Sequence, residues 1–221
     1  LINQMTIRNM VFKDPIEKKS GLDIFYSPEP GHTYVAVADV ARGAGLDYSV
    51  CSVIDITELP YKLVAKYRSN TISPMLYPNV IFDIASKYNK AYVLVEVNDI
   101  GGQVADILQQ ELEYENMIMT AHRGRAGQVA GQGFGHGTLY GVRTSKQVKR
   151  IGCSTLKDIL ENGKLIIEDF ETIVELSSFI SKGISYQAEE GQHDDLVMTL
   201  VLFAWLARQD YFKELTDVDV R

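Results

Sequence analysis

Twelve consecutive positions, Leu196 to Ala207 ("LVMTLVLFAWLA"), are apolar apart from Thr199, and "GQHDD" stands directly before them. A helix that is apolar on every face has no side to offer to water, so a domain must be built around it. The run falls short of the roughly 18 to 20 residues that cross a bilayer, so it reads as a core helix and no membrane partner is expected. With 221 residues, 46% hydrophobic and 23% charged, the chain has material for one fairly large globular domain. Cys51 and Cys153 stand alone, which suggests a reduced, intracellular setting without a zinc site or disulfide framework. The first residue is not methionine and no signal peptide is evident, so a domain cut from a longer polypeptide is expected.

Residues 1–33, with Pro15, Pro28 and Pro30, read as a lead-in segment, and residues 34–221 as the domain proper. "YVAVADV" and "SVCSVIDI" are β-branched, apolar runs joined by the Gly-containing "ARGAGLDY", and "KLVAKYRS" supplies a third strand. Helical spacing follows in "MLYPNVIFDIASKYN", then a strand in "AYVLVEV" and a helix in "GGQVADILQQEL". After the short strand "MIMTA", eight of the 17 glycines fall between Gly124 and Gly152, which predicts a mobile loop or hairpin over about residues 122–152. "STLKDILEN" reads as a helix capped by Ser154 or Thr155, "KLIIED" as a strand, "ETIVELSSFI" as a helix and "ISYQA" as a small strand. The sum is a mixed α/β domain, an antiparallel meander joined to parallel crossovers.

The net charge of −7 is unevenly spread. Between Asn116 and Lys157 there is no acid, while Arg123, Arg125, Arg143, Lys146, Lys149, Arg150 and Lys157 give +7, leaving −14 on the rest. An acidic body with one basic strip can hold a polyanion locally; a solvated loop that merely lacks acids is the alternative.

Asp39 is the only acid in an otherwise apolar run, and Glu96 repeats the situation in "YVLVEVNDIGGQ". A carboxylate at the end of a buried strand is costly unless paired or bound to a cation. Taken singly, Asp39 fits a turn at the strand exit and Glu96 a solvent-facing edge position. Asp is also a preferred N-cap, so capping explains one of Asp194 and Asp195, though not both. His193 fits either a neighbour of the cap or a group that orients a carboxylate. Together, three acids on three elements form the oxygen ligand set that Mg²⁺ or Mn²⁺ requires, and two such ions would suit phosphodiester hydrolysis. Asp47 fits a turn or an occasional ligand, and Asp99 a helix cap.

"VAVADVARGAGLDYS", "YVLVEVNDIGGQVADIL", "LYGVRTSKQVKRIGCSTLKDILENGKLIIED" and "AEEGQHDDLVMTLVLFAW" resemble the C-terminal nuclease domain of the large terminase subunit of T4-like tailed bacteriophages. The resemblance covers most of the chain from Tyr34 onward. It implies an RNase H-like fold, with Asp39 and Glu96 on adjacent parallel strands, and a domain that cuts concatemeric viral double-stranded DNA at packaging initiation and termination. Asp39, Glu96 and Asp195 are then the metal ligands for two Mg²⁺ or Mn²⁺ ions, with Asp194 or Asp47 able to share the work and His193 orienting a carboxylate. Arg123, Arg125, Arg143, Lys146, Lys149 and Arg150 would contact phosphates. The implied partners are an ATPase domain of the same polypeptide, the portal protein and the small terminase subunit, in the cytoplasm of the infected bacterial host. No GxxxxGK[ST] is present, so ATPase activity is not expected of this segment. A junction resolvase of the same fold, an actin-like ATPase and a noncatalytic DNA-binding module are the rivals.

Overall fold

The computed structural model describes residues 1–131, 137–183 and 185–216. In chain order, α1 (Gln4–Arg8), β1 (Glu17–Lys19) and β2 (Leu22–Ile24) lead into β3 (Tyr34–Asp39), β4 (Ser49–Asp55) and β5 (Tyr61–Ser69). Next come α2 (Tyr77–Lys87), β6 (Tyr92–Val95) and α3 (Gly101–Asp106), which continues as a π-helical turn over Ile107–Glu111. β7 (Met119–His122), β8 (Gln128–Gly131) and β9 (Thr138–Tyr140) precede α4 (Lys146–Glu161), β10 (Leu165–Ile166) and α5 (Phe170–Ser178). β11 (Phe179–Lys182), β12 (Ser185–Ala188), α6 (Asp195–Ala207) and α7 (Asp210–Thr216) complete the described elements.

Among the described residues the main sheet has seven strands in the order β1-β2-β5-β4-β3-β6, with β10 parallel on β5. β3, β4 and β5 form the expected antiparallel meander, and β6 runs parallel to β3 through Val35–Tyr92 to Ala38–Val95. The lead-in segment also enters the sheet: β2 pairs antiparallel with β5, and Lys13 is tied to Glu168 by a 2.8 Å ion pair. No helix among the described residues is long and apolar enough to cross a membrane.

The sheet separates two apolar layers. Val35, Val37 and Leu94 face the layer of α4, α5, α6 and α7, whereas Tyr34, Ala36, Ala38, Val93 and Val95 face that of α2 and α3. Leu196 to Ala207 are all buried, because α6 lies against β3 and β4 on one side and α4 and α5 on the other. Each large apolar side chain taken from water there contributes about 1.5–3 kcal/mol.

Two boundaries differ from the sequence reading. α4 starts at Lys146, with the Ser145 hydroxyl accepting from the Val148 N–H at 3.2 Å, and neither Ser154 nor Thr155 caps it. Gly152, read as part of a glycine-rich loop, lies within this helix. Its missing side chain lets α4 approach α6, since a Cβ there would stand 2.3 Å from the Val201 carbonyl oxygen. The glycine-rich segment before α4 is a small sheet in the order β8-β7-β9, and residues 132–136 of the expected loop lie outside the described residues.

Gly152→Ala is expected to cost about 1–3 kcal/mol by overpacking the α4–α6 contact. At roughly 2–4 °C per kcal/mol for a chain of this size, thermal unfolding should show a clear drop in Tm.

Candidate functional site

Strand alternation decides where the first two acids point. Side chains on one face recur every two residues, so Asp39 continues the Val35 and Val37 face and Glu96 the Leu94 face, both toward α6. Parallel pairing carries on past β6: the Glu96 N–H donates to the Ala38 carbonyl at 2.8 Å, and Glu96 bridges to Val142. Gly101 makes room for this turn, because a Cβ there would fall 1.8 Å from the Glu96 carbonyl oxygen. Asp39 and Glu96 thus lie side by side at the C-terminal ends of adjacent parallel strands, close enough for the charge of Glu96 to act on Asp39.

Asp195 is the first residue of α6, near enough for its charge to act on Asp39. Its Oδ2 is buried without a hydrogen-bond partner. His193 Nδ1 stands 3.6 Å from that oxygen, and the His193 ring meets the Tyr48 ring edge-on at 5.0 Å. Asp194 differs from expectation: its side chain makes no cap and Oδ2 accepts instead from the Ala188 N–H at 3.2 Å. The exposed Asp47 acts on Asp195 through its charge.

The cap of α6 comes from elsewhere. Glu175 Oε2, on α5, accepts from the N–H groups of Leu196 at 2.8 Å and Val197 at 3.2 Å, and Oε1 accepts from Arg68 at 3.0 Å. Burial pushes the Glu175 carboxyl up to about 7, against the pull of Arg68. Asp99 does not cap α3 either; it forms a two-bond pair with Arg42, both at 2.8 Å. Glu175, Arg68 and Arg42 carried no local sequence signal, since each acts on residues far away in the chain.

In the metal-free protein, burial raises Asp39 well above the usual carboxylate range, and the charges of Glu96 and Asp195 add to it. Burial likewise raises Asp195, followed by the charge of Asp47. Convergent carboxylates with an orphaned buried oxygen form an all-oxygen donor set that suits a hard divalent cation. A tighter acid cluster, Asp23, Asp169 and Glu171, lies elsewhere with its ligand atoms within 4.8 Å of one another. There the Lys66 ammonium already fills the cation's place, 2.8 Å from Asp169, 3.7 Å from Asp23 and in contact with Glu171.

The basic residues fall on two elements. Arg123 and Arg125 are exposed around the turn Gly124–Ala126, between β7 and β8. Arg143 is exposed before α4, and Lys146, Lys149 and Arg150 lie on the first turns of α4, where they line a cavity of about 450 Å³ with Ser185 and Tyr186. Asn98, two residues past Glu96, exchanges hydrogen bonds with the backbone of Thr144 at 3.0 and 3.4 Å, which brings the start of α4 beside the acids.

Residues 36–206 match the family model described as the terminase RNaseH-like domain. Among solved structures, the chain is similar to the large terminase nuclease from thermophilic phage G20c with bound magnesium. Identity is 21%, over 90% of this chain and 94% of that one, with a TM-score of 0.68. For the large terminase nuclease domain of Thermus phage P74-26 the values are 20%, 93%, 94% and 0.62. For the large terminase of a further thermophilic bacteriophage, in complex with ADP, they are 12%, 80%, 40% and 0.55.

Upward carboxylate shifts mean that the folded metal-free protein binds more protons than the unfolded chain, so these groups cost stability as pH rises past the ordinary carboxylate range. Asp39→Asn is therefore expected to raise the Tm of EDTA-treated protein by several degrees near about pH 8, with the gain shrinking toward about pH 4. Calorimetry across this range checks it; a lower Tm for the variant at neutral pH contradicts the clustering.

Proposed function

The chain belongs to the terminase RNase H-like domain family, and from that premise we propose that it is a divalent-metal-dependent DNA endonuclease acting in genome packaging. The observation that carries this reading is the convergence of Asp39 and Glu96 on the first residue of α6, where Asp195 Oδ2 lacks a partner. The G20c nuclease, crystallised with magnesium, cobalt or zinc, adds support from a similar fold.

Asp39, Glu96 and Asp195 would hold two Mg²⁺ or Mn²⁺ ions, with Asp47 as an outer contact. When bound, such ions would supply the acidity that readies a water for attack and the positive charge that offsets the departing 3' oxygen. The protein's own contribution is placement. β3 and β6 fix two carboxylates side by side, His193, packed edge-on against Tyr48, stands beside the third, and Asp194 is engaged with β12. No covalent enzyme intermediate is required. Arg143, Lys146, Lys149 and Arg150, with Arg123 and Arg125 beyond them, hold the phosphate backbone and so position DNA without reading its bases. The reading extends to further partners, an ATPase domain on the same polypeptide, the portal and the small terminase subunit, in the infected cell's cytoplasm. This chain covers 40% of the ADP-bound large terminase.

Purified protein is expected to nick and linearise plasmid DNA with Mg²⁺ or Mn²⁺ and to stop with EDTA. Asp39→Ala, Glu96→Ala and Asp195→Ala should each lower the rate by more than about 100-fold, beyond the 10–100-fold typical of losing a group that only supports a ligand. Wild-type protein that leaves linear and plasmid DNA intact but cuts four-way junctions would make it a resolvase instead.

Replacing Arg143 and Lys149 with Ala is expected to weaken DNA binding and to reduce the slope of log affinity against log salt by about 0.9 for each phosphate no longer neutralised. Fluorescence anisotropy over a salt series reads both. Unchanged affinity and slope would remove these two side chains from the DNA interface.

A further inference from the structure

The start of α6 is buried, and buried backbone N–H groups need acceptors. Its own N-cap residue does not supply one: Asp194 has φ −132° and ψ 12° and makes no side-chain cap. The acceptor is Glu175, whose side chain is only 6% exposed and whose Oε2 takes the N–H groups of both Leu196 and Val197. These two residues directly follow Asp195 in the chain.

Glu175 is itself held. Arg68, on β5, donates to Oε1 at 3.0 Å, and its guanidinium lies 3.9 Å from the centre of the Tyr48 ring. The Tyr48 ring in turn meets the His193 ring edge-on at 5.0 Å, and His193 Nδ1 stands 3.6 Å from Asp195 Oδ2. The contacts therefore close on themselves: Glu175 grips the first turn of α6, Asp195 begins that turn, His193 links Asp195 to Tyr48, and Arg68 ties Tyr48 back to Glu175. A cap supplied by Asp194 would fix the helix end only to its own preceding loop. A cap from α5 braced by β5 fixes that end to the sheet that carries Asp39.

We propose that Glu175, braced by Arg68, is a positioning residue for the nuclease centre: it sets the first turn of α6 and thereby places the Asp195 carboxylate against Asp39 and Glu96. This rests on the metal-dependent reading above and assigns Glu175 no contact with substrate or metal.

The test is Mn²⁺ binding to the DNA-free protein by calorimetry, together with the Mn²⁺ dependence of plasmid cleavage. Glu175→Ala is expected to weaken Mn²⁺ binding about 10–100-fold, as for other groups that orient a ligand. Its cleavage should recover toward the wild-type rate as Mn²⁺ is raised. Glu175→Gln keeps an acceptor oxygen and should restore part of the affinity, and Arg68→Lys, which loses the fork and the ring contact, should weaken binding in the same direction. Leu156→Ala, a core truncation in α4, lowers Tm but should leave Mn²⁺ affinity unchanged, which separates positioning from general loss of stability. Wild-type-like Mn²⁺ affinity in folded Glu175→Gln and Arg68→Lys, or in Glu175→Ala, overturns the positioning role alone. A wild-type protein that neither binds Mn²⁺ nor cuts overturns the nuclease reading and this role with it.

Discussion

Complete burial of α6 is the constraint on which the rest of the molecule depends. A twelve-residue apolar stretch can be shielded only if the sheet closes one side and α4 and α5 close the other, and the structure does both. Enclosure then creates a second requirement, because the N-terminus of an enclosed helix carries backbone donors that water cannot reach. Glu175 meets it from α5, and Arg68 holds Glu175 in place. That helix end is the one that bears Asp195.

The same enclosure explains the electrostatics of the site. Carboxylates at the C-terminal ends of β3 and β6 and at the start of α6 are brought together where solvent is scarce, so their charges oppose one another and burial raises Asp39 and Asp195. The protein contains its own contrast. Around Lys66, three carboxylates gather more tightly, but a buried ammonium satisfies them, and that cluster ties β2, β5 and the start of α5 together. At the Asp39 site the neighbouring charges are mostly negative, and one buried oxygen lacks a partner. Clusters of similar composition thus differ in kind according to whether a lysine reaches them.

Much of the order of elements was legible from pattern. The β-branched runs at 34–40 and 49–56, the helical spacing around Val80 to Ala85 and the apolar run at 196–207 each became the element expected, because burial selects a period that is visible in the residues themselves. The start of α4 was not legible. Glycine and basic residues there mimic a loop, yet the Ser145 cap and the tolerance of Gly152 for a close helix neighbour make them helical, and glycine's low helix propensity is overridden by packing. Asp194 and Asp99 misled for a related reason. Both have the type and place of a helix cap, but each found a partner elsewhere in the chain, Ala188 on β12 and Arg42 in the loop after β3.

The sequence by itself determined the alternation of strand and helix, the necessity of a core helix, the segregation of positive charge, and three acids standing at the ends of apolar elements. Only the tertiary structure decided that β3 and β6 lie side by side and parallel, that Asp39 and Glu96 turn to the same face, and that α6 begins opposite them. It alone revealed Glu175, whose partners lie 21 and 22 residues away along the chain and whose brace, Arg68, is 107 residues from it. The division has a physical cause: periodicity and charge are properties of neighbours along the chain. The direction of a carboxylate and the capping of a buried helix end are set by which distant elements the core forces together.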